Sequence, residues 1–544
     1  MNGTDSPRGP RHALLALVAF AAGSAAAQAP APAAPAKPAP PMATPAAPVV
    51  FPIRGFRIEG ENPIGEADAQ RVLAPFIRPD ATLASLQQAT AALETELRNR
   101  GYGLHRVALP PQEIGSLVRL TIVKFVVGKV TIEGNKIYDE GNIRRTLPEL
   151  REGESPNFRT LAIQTAIANE NPNKQVQVGL RESDEPDKID ATITVKEQRP
   201  WTASIAASNG GDPSSGRDRV IMTAGHTNLW NLDHEAVLAY TTSVERTHDV
   251  RQFGLSYKAP IYAWGGVIGA AYTTSDVVGN FGTFTSTGAG HTFSLAYTQY
   301  LAPKGGRRSY VSFGLEDKVF NGALLNGQPF GQEDRRSRPV TLGYTARTET
   351  DTAVWGYNTE LAVNTGSGAH NGLASYQTED PRIRSVYFKA LRGAISYTAP
   401  IFTTWTWTAR GAWQYSPDVL IAGEQFGIGG VSSVRGTEFE RPVTGDSGLS
   451  ATLELLTPEL TQGLRLLGFV DAGRVHNNDP DGLTNPWSDR LASVGLGVRY
   501  VRGPVVASAD YGKLVRGSKV PTSLNSASPQ KGDDRFYITV GIRF

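Results

Sequence analysis

Hydrophobic positions recur with two different periods along this chain, and the change of period divides it. From 51 to 199, helical and strand spacing alternate. Ile53–Gly60 reads as a strand, and Glu66–Phe76 has helical spacing. Thr82 is placed to cap a second helix running to Arg100, with Leu83, Leu86, Ala89, Leu93 and Leu97 on one face. Gly101-Tyr102-Gly103 stops it, and Leu104–Leu109 and Leu117–Val126 read as strands. The same order then recurs. Lys129–Glu133 is a strand, Asp139–Leu147 and Asn157–Asn169 are helical, and Lys174–Leu180 and Lys188–Val195 alternate as strands. Two consecutive units of about 75 residues with one element order form an internal repeat.

After Arg199-Pro200 a period of two takes over. Trp201–Ser208, Phe253–Lys258, Val340–Thr345 and Trp355–Leu361 all alternate, and Trp405–Tyr415 does so most clearly. One face of each segment is aromatic and aliphatic, and the other carries Thr, Ser, Gly and charged residues. Soluble sheets also alternate, but these strands are long and many, with bulky rings at their ends. That suits a lipid-facing band with aromatic girdles around a polar lumen, and the segments number about sixteen. Ala236–Thr242 and Arg384–Thr398 alternate poorly. Pro260-Ile261 and Pro400-Ile401 fit tight periplasmic turns, whereas the polar gaps Asn321–Arg336 and Gly366–Asp380 fit outer loops. The lumen is expected to be lined by residues such as Lys258, Arg347, Glu360 and Arg410.

The first fifty residues change the compartment. Arg8, Arg11 and His12 precede the apolar stretch Ala13–Phe20, and small residues follow, so residues 1–27 read as a secretory signal, with Ala25-Ala26-Ala27 favoured as the cleavage site over Ala27-Gln28-Ala29, which places Pro30 just after the cut. Residues 28–50 are nearly all Ala and Pro, a semi-extended linker. Beyond the signal, no uncharged apolar run reaches the roughly 18 residues of a spanning helix. A closed barrel is the other backbone arrangement that satisfies its polar groups in lipid.

Charge and residue chemistry exclude several functions. A net charge of +2 argues against nucleic acid, and an exported chain has no nucleotide at hand. With Cys 0, there are no disulfides or thiolate sites. The eight histidines form no metal-ligand pair at helical spacing. Asn477–Gly482 lacks the acidic end of a calcium loop, and Gly427–Gly430 lacks the lysine and helix of a phosphate loop. No catalytic residue, metal or cofactor is expected.

One stretch stands apart, Ile428-Gly429-Gly430-Val431-Ser432-Ser433-Val434-Arg435-Gly436-Thr437-Glu438-Phe439. A lone arginine among glycines lies in a long gap just after the eleventh strand, and it is expected to fold into the pore. Asp471 follows the apolar run Leu466–Val470. A carboxylate towards lipid is costly, so Asp471 should face the lumen, where a guanidinium is a suitable bidentate partner. If the two touch, exchanging their charges is expected to restore part of what either change removes.

These features together resemble the two-partner secretion outer-membrane transporters, of the haemolysin-activator and filamentous-haemagglutinin-transporter kind, over residues 51–544. The repeated units resemble POTRA (polypeptide-transport-associated) domains. Asn169–Val178, Glu197–Trp201 and Leu109–Gln112 are similar to family patterns. Val434-Arg435-Gly436 resembles the family's lumen-loop motif, and Phe469-Val470-Asp471-Ala472-Gly473 its loop-anchoring strand motif. The family usually has an aromatic residue directly after the loop's Arg-Gly. Thr437 stands there instead, with Phe439 two places on. Many members also carry an N-terminal plug helix, which the proline-rich residues 28–50 cannot form.

The resemblance implies a mainly β protein, a transmembrane antiparallel barrel of about 16 strands at 200–544 behind two α+β POTRA domains at 51–126 and 127–199. It implies an outer-membrane translocator, not an enzyme, that binds an unfolded exoprotein in the periplasm and secretes it. The cargo would be a large β-helical protein, with haemolysin secretion or activation one instance. Candidate capture edges are Leu104–Leu109, with Leu104 and Val107, and Lys174–Leu180, with Val176 and Val178. The alternating Phe536–Phe544 ends on the aromatic Phe544, similar to the signal read by the barrel assembly machinery. A barrel assembly factor usually has more POTRA units, a porin needs none, and a barrel lipase needs a Ser–His pair that is not evident.

Overall fold

The computed structural model describes residues 50–544 apart from breaks at 114–115, 214, 282, 287, 323, 326–327, 330 and 403. The signal and nearly all of the Ala/Pro linker lie outside the described residues.

The first unit contains β1 (Gly55–Gly60), α1 (Glu66–Leu73), α2 (Leu83–Asn99), β2 (His105–Ala108) and β3 (Leu117–Lys124). Its sheet has the order β1-β3-β2, with β1 parallel and β2 antiparallel to β3. Thr82 and Ser85 cap α2 reciprocally, each side chain accepting from the other's backbone N–H. Leu86, Ala89, Leu93 and Leu97 of α2 are buried against Phe56, Val118 and Leu120. Leu83 was expected on that face but is exposed. It occupies the first helical position, at the rim of the packed surface.

The second unit repeats the plan with β4 (Val126–Glu133), α3 (Glu140–Thr146), α4 (Phe158–Ala168), β5 (Lys174–Glu182) and β6 (Lys188–Glu197), in the order β4-β6-β5. The chain passes between the two sheets at Phe125, four residues before the strand start read from the pattern. Val126 and Val127 pair with Lys188 and Ile189, and a register shift follows before Val130. The local alternation could not reveal that irregularity. The core of this unit reaches beyond its own elements, because Tyr262, Val267 and Tyr300 of the barrel rim pack into it.

The barrel has sixteen antiparallel strands. They are β7 (Trp201–Ser208), β8 (Arg219–Leu229), β9 (His234–Thr242), β10 (Arg251–Ile261), β11 (Gly266–Ser275), β12 (Gly290–Lys304), β13 (Arg307–Phe320), β14 (Arg335–Ser337 and Pro339–Glu349, broken at Arg338), β15 (Val354–Asn364), β16 (Lys389–Ile401), β17 (Trp405–Tyr415), β18 (Ser447–Leu456), β19 (Leu464–His476), β20 (Ser488–Arg502), β21 (Val505–Arg516) and β22 (Asp534–Arg543). β22 closes on β7 through Thr539–Arg543 and Ser204–Ser208. The two poorly alternating segments are the regular strands β9 and β16. The gap 366–380, expected as a polar loop, holds a short helix α5 (Leu373–Glu379). Its Tyr376 is buried with Phe320, Ile383, Phe388 and Leu420.

Outward positions carry exposed Leu255, Phe293, Phe313, Leu342, Leu453, Val470 and Leu496. The alternate positions face the lumen, where Lys258 lies 3.8 Å from Glu235 and Arg410 lies 2.8 Å from Glu454. This is the polarity of a barrel that meets lipid on its outside. β7 follows the two units directly, so turns such as 230–233 lie on their side of the membrane and the link from β17 to β18 lies on the far side.

Candidate functional site

The link between β17 and β18 does not stay at the rim. A two-stranded ribbon, Phe426–Ile428 with Val443–Gly445, carries its tip into the lumen. Ile428 and Val434 are fully buried there against Val475, Leu491 and Leu514 of the wall. That apolar patch seats the tip and leaves Arg435 facing the strands beside it.

Arg435 has only 5 % of its side chain exposed, and Asp471 has none. Nε–H donates to Asp471 Oδ2 at 2.8 Å and Nη2–H to Oδ1 at 2.9 Å, the bidentate fork expected from the residue types. The Arg435 backbone N–H donates to Oδ2 as well, at 3.1 Å. Thus the carboxylate holds both the side chain and the main chain of the tip. Nη1 faces two further carboxylates, Glu454 at 2.9 Å and Asp510 at 3.6 Å. The guanidinium carbon sits 3.4 Å above the Phe469 ring. Glu454 also binds Arg410, and Asp510 binds Arg499 through both oxygens. Three arginines meet three carboxylates, so the cluster is neutral as a whole.

Glycines permit this approach. Gly436 has φ +107, and a Cβ there would lie 3.0 Å from the Gly512 carbonyl oxygen. A Cβ on Gly473 would meet Ile428 Cγ2 at 2.8 Å, so the strand motif's glycine makes room for the ribbon.

Thr437 is buried and serves the loop itself, accepting from the Gly430 N–H and donating to the Phe439 carbonyl. The aromatic contact comes from β22 instead. The Tyr537 hydroxyl accepts from the Gly436 N–H and donates to the Thr437 carbonyl at 2.7 Å. Phe439 is half-buried. On its other side the tip faces a cavity of about 520 Å³ lined by Tyr310, Arg347, Arg410 and Ser432.

The loop is also held near its base. Glu424, almost fully buried, lies 2.6 Å from Arg392 and 3.3 Å from Lys318, and accepts from Ser337 at 2.7 Å. Composition and motif reading missed Glu424, Glu454, Asp510 and Tyr537. Glu454 was findable, because it continues the polar face of Ser450 and Thr452 on a strand whose other face is Leu449, Leu453 and Leu455. Glu424 carries no such signal, since it lies outside any alternating run.

The structure does not bring the predicted capture edges to the lumen loop. β2 and β5 each pair with one strand only, so each leaves a free edge among the described residues. Leu104 and Val176 are buried, and Val107 and Val178 pack on the same cores. These side chains stabilise the units, and no further strand among the described residues covers either edge; the Asn169 amide holds the Val176 N–H and carbonyl at 2.7 and 3.0 Å, and Glu94 accepts from the Val107 N–H at 3.4 Å, contacts that an added strand has to displace. A groove of about 920 Å³ runs along β5 and α4, closed by Pro303, Gly306 and Arg308 of the barrel rim. Phe544 is exposed at the end of β22, with its N–H donating to the Ala203 carbonyl.

A second buried network joins the second unit to the barrel. Lys174 is completely buried, and its Nζ donates to Asp233 Oδ2 at 2.5 Å, Asn142 Oδ1 at 3.0 Å and Thr146 Oγ1 at 3.1 Å. Tyr262 OH donates to the same carboxylate oxygen at 2.8 Å. Burial pushes the Lys174 ammonium below the usual lysine range, and Asp233 opposes that push. The lysine falls in the sequence pattern 169–178, but its partner in the turn after β8 carried no recognisable signal.

Fold and site define an outer-membrane transporter in which two periplasmic POTRA units precede a sixteen-stranded barrel with an arginine-bearing loop inside it. Residues 187–500 match the haemolysin secretion/activation protein family ShlB/FhaC/HecB, and residues 51–124 match the ShlB-type POTRA domain. The chain belongs to that family, and it works in the outer membrane as a two-partner secretion translocator for an exoprotein. It is similar to the outer membrane transporter CdiB of Dickeya dadantii (strain 3937), with 23 % identity over 450 residues, 80 % of this chain and 78 % of the relative. The Escherichia coli CdiB is 22 % identical over 478 residues, 85 % of this chain and 78 % of the relative. The solved structure of CdiB from Escherichia coli superposes with a TM-score of 0.71 at 20 % identity, covering 93 % of both chains. That of CdiB from Acinetobacter baumannii also gives 0.71, at 16 % identity, covering 92 % of this chain and 90 % of the other.

Proposed function

We propose that the translocator is gated by the Val434-Arg435-Gly436 tip, with Phe439 at its outer flank and Phe469, Asp471 and Gly473 as its seat. The supporting observation is the fully buried Arg435–Asp471 fork inside the lumen. Secretion requires the tip to leave that seat, because the exoprotein and the loop compete for the same lumen. The exoprotein, a large β-helical chain, arrives unfolded. It is captured by strand addition at the free edges of β2 and β5, which reads backbone and tolerates varied sequence. Folding outside prevents return and drives export without nucleotide. In this reading residues 1–27 are the secretory signal, 28–50 the linker, 51–126 and 127–199 the two POTRA domains and 200–544 the barrel. Phe544 is the residue read by the barrel assembly machinery during insertion.

The native chain has no cysteine, which makes a disulfide trap clean. Val434→Cys with Leu514→Cys joins two residues of one buried cluster. Oxidation is expected to stop secretion and reduction to restore it, with each single variant secreting throughout. Continued secretion with the bridge formed refutes gating by the tip.

A further inference from the structure

The outward face of the barrel bears an unusual charge arrangement at its outer end. Arg474, near the end of β19, is the direct cross-strand partner of Arg490 on β20. Both are exposed. Their strand parity matches that of the lipid-facing Val470 on β19 and Val494 and Leu496 on β20. On the next strand, Arg516 pairs with Ala492, two positions from Arg490 on the same outward face, and it is exposed too. No side-chain hydrogen bond or ion pair to these three guanidinium groups occurs among the described residues. Lys513 also faces outward nearby but lies opposite Asp534, so its charge is partly answered.

Like charges placed directly opposite on adjacent strands repel, and nothing in the chain relieves Arg474 and Arg490. The barrel answers such a charge elsewhere. Arg251, at the outer end of β10, has Asp276 3.1 Å away. The height of the trio is marked by Trp487, exposed just beyond Arg490 and edge-on to His476 at 4.6 Å, as an interfacial aromatic sits. The arginines therefore lie at headgroup level, on the side of the membrane away from the POTRA units.

We infer that Arg474, Arg490 and Arg516 form a binding site for the phosphate groups of a phosphorylated glycolipid of the outer leaflet. Guanidinium groups match phosphate oxygens in bidentate fashion, and a bound anion turns the repulsion into a shared attraction. Acyl chains of the same lipid would lie along Val470, Val494 and Leu496 below. The site is independent of the lumen loop, since all three side chains point away from it.

The test uses the full chain purified in mild detergent and native mass spectrometry with three probes: bis-phosphorylated lipid A, its dephosphorylated form and phosphatidylglycerol. The wild type is expected to retain lipid A and to lose at least about tenfold in affinity when the phosphates are removed. Arg474→Gln, Arg490→Gln and Arg516→Gln are each expected to weaken lipid A by about tenfold. Arg251→Gln serves as the matched control and is expected to leave retention unchanged. Heat-modifiable migration checks that each variant is folded, and three separate single changes keep the question answerable should one of them fail to insert. Equal retention of dephosphorylated lipid A, equal retention of phosphatidylglycerol, or unchanged retention by the arginine variants overturns the assignment.

Discussion

Arg435→Ala is the most informative single change in this chain. It removes both halves of the fork to Asp471, the 2.9 Å contact with Glu454 and the stack on Phe469. Glu454 and Asp510 keep Arg410 and Arg499, so their charges stay answered. Asp471 keeps no cation, only the backbone N–H of residue 435 at 3.1 Å and the Ser493 hydroxyl at 3.4 Å. Breaking a buried pair by removing one partner costs about 3–5 kcal/mol. At 1.4 kcal/mol per tenfold, a loss of about 4 kcal/mol moves the seated-to-released ratio of the tip by roughly a thousandfold. Ala keeps the backbone N–H bond to Asp471, and Val434 keeps its apolar seat, so the barrel is expected to insert normally. Planar-bilayer recordings should show larger or more frequent openings, while exoprotein in the medium falls steeply because the gate no longer reseats around a passing chain. Wild-type conductance together with wild-type secretion in a correctly inserted Arg435→Ala barrel would refute the reasoning.

The geometry also corrects the obvious rescue experiment. Exchanging the charges, Arg435→Asp with Asp471→Arg, looks restorative when only two residues are considered. Here it sets a carboxylate beside Glu454 and Asp510, so the exchange is expected to fail even though the two residues touch. Arg435→Lys is the better probe. It keeps the charge and loses the fork and the ring stack, and an intermediate conductance is expected.

Other changes test separate parts of the molecule. Lys174→Met leaves Asp233 buried without its cation, at a cost of about 3–5 kcal/mol, and is expected to loosen the second POTRA unit from the barrel; hydrogen exchange in Lys174–Glu182 and in the turn after β8 reads this, and unchanged protection counts against the network. Glu424→Gln removes the charge that Arg392 and Lys318 share and is expected to raise conductance less than Arg435→Ala does, because the tip stays seated; a larger rise would make the base the principal anchor. His105 is buried with neither ring nitrogen bonded, and burial pushes its pKa below the ordinary value of 6.5. The unfolded state therefore binds the proton first, so protection of β2 and β3 is expected to be full above about pH 6.5 and to fall below it; His105→Phe should flatten that slope down to the carboxylate range.

How much was legible follows from what each element depends on. The helices and strands of both periplasmic units are local patterns with caps and stops, and most lie within two or three residues of where periodicity puts them. The pair Arg435–Asp471 was legible because a lone arginine in a glycine-rich gap and a carboxylate on a membrane strand each need an explanation, and each supplies the other's. Glu454 and Asp510 were hidden because a polar lumen face is full of such residues, and only strand register selects which of them reach the tip. Tyr537 was hidden for a further reason. The expected aromatic is sought next to Arg-Gly in the sequence, whereas here it comes from a strand about a hundred residues later, through barrel closure. Lys174 and Asp233 meet only because the second unit docks on the turn after β8.

The charge balance of the lumen constrains what the released state is like. Seated, the cluster is neutral, with Arg410, Arg435 and Arg499 against Glu454, Asp471 and Asp510. Release of the tip takes away one arginine and leaves two, each already bonded to one of the other carboxylates. Asp471 alone then lacks a cation, on a strand face where burial had removed its water. An open pore must therefore hydrate Asp471 or offer it a donor, and a passing unfolded chain presents backbone N–H groups at every residue except proline. On the gating reading proposed above, the empty seat is expected to act as an acceptor for the cargo, one that holds a sliding backbone weakly because each contact is replaced by the next. Asp471→Asn tests this separately from gating. It weakens the seat as Arg435→Ala does, yet leaves no uncompensated carboxylate on the emptied wall, the excess charge being that of Arg435, which departs with the tip, so the two variants are expected to share a raised conductance while the asparagine retains more secretion. Equal loss of secretion in both would show that the empty carboxylate plays no part in passage.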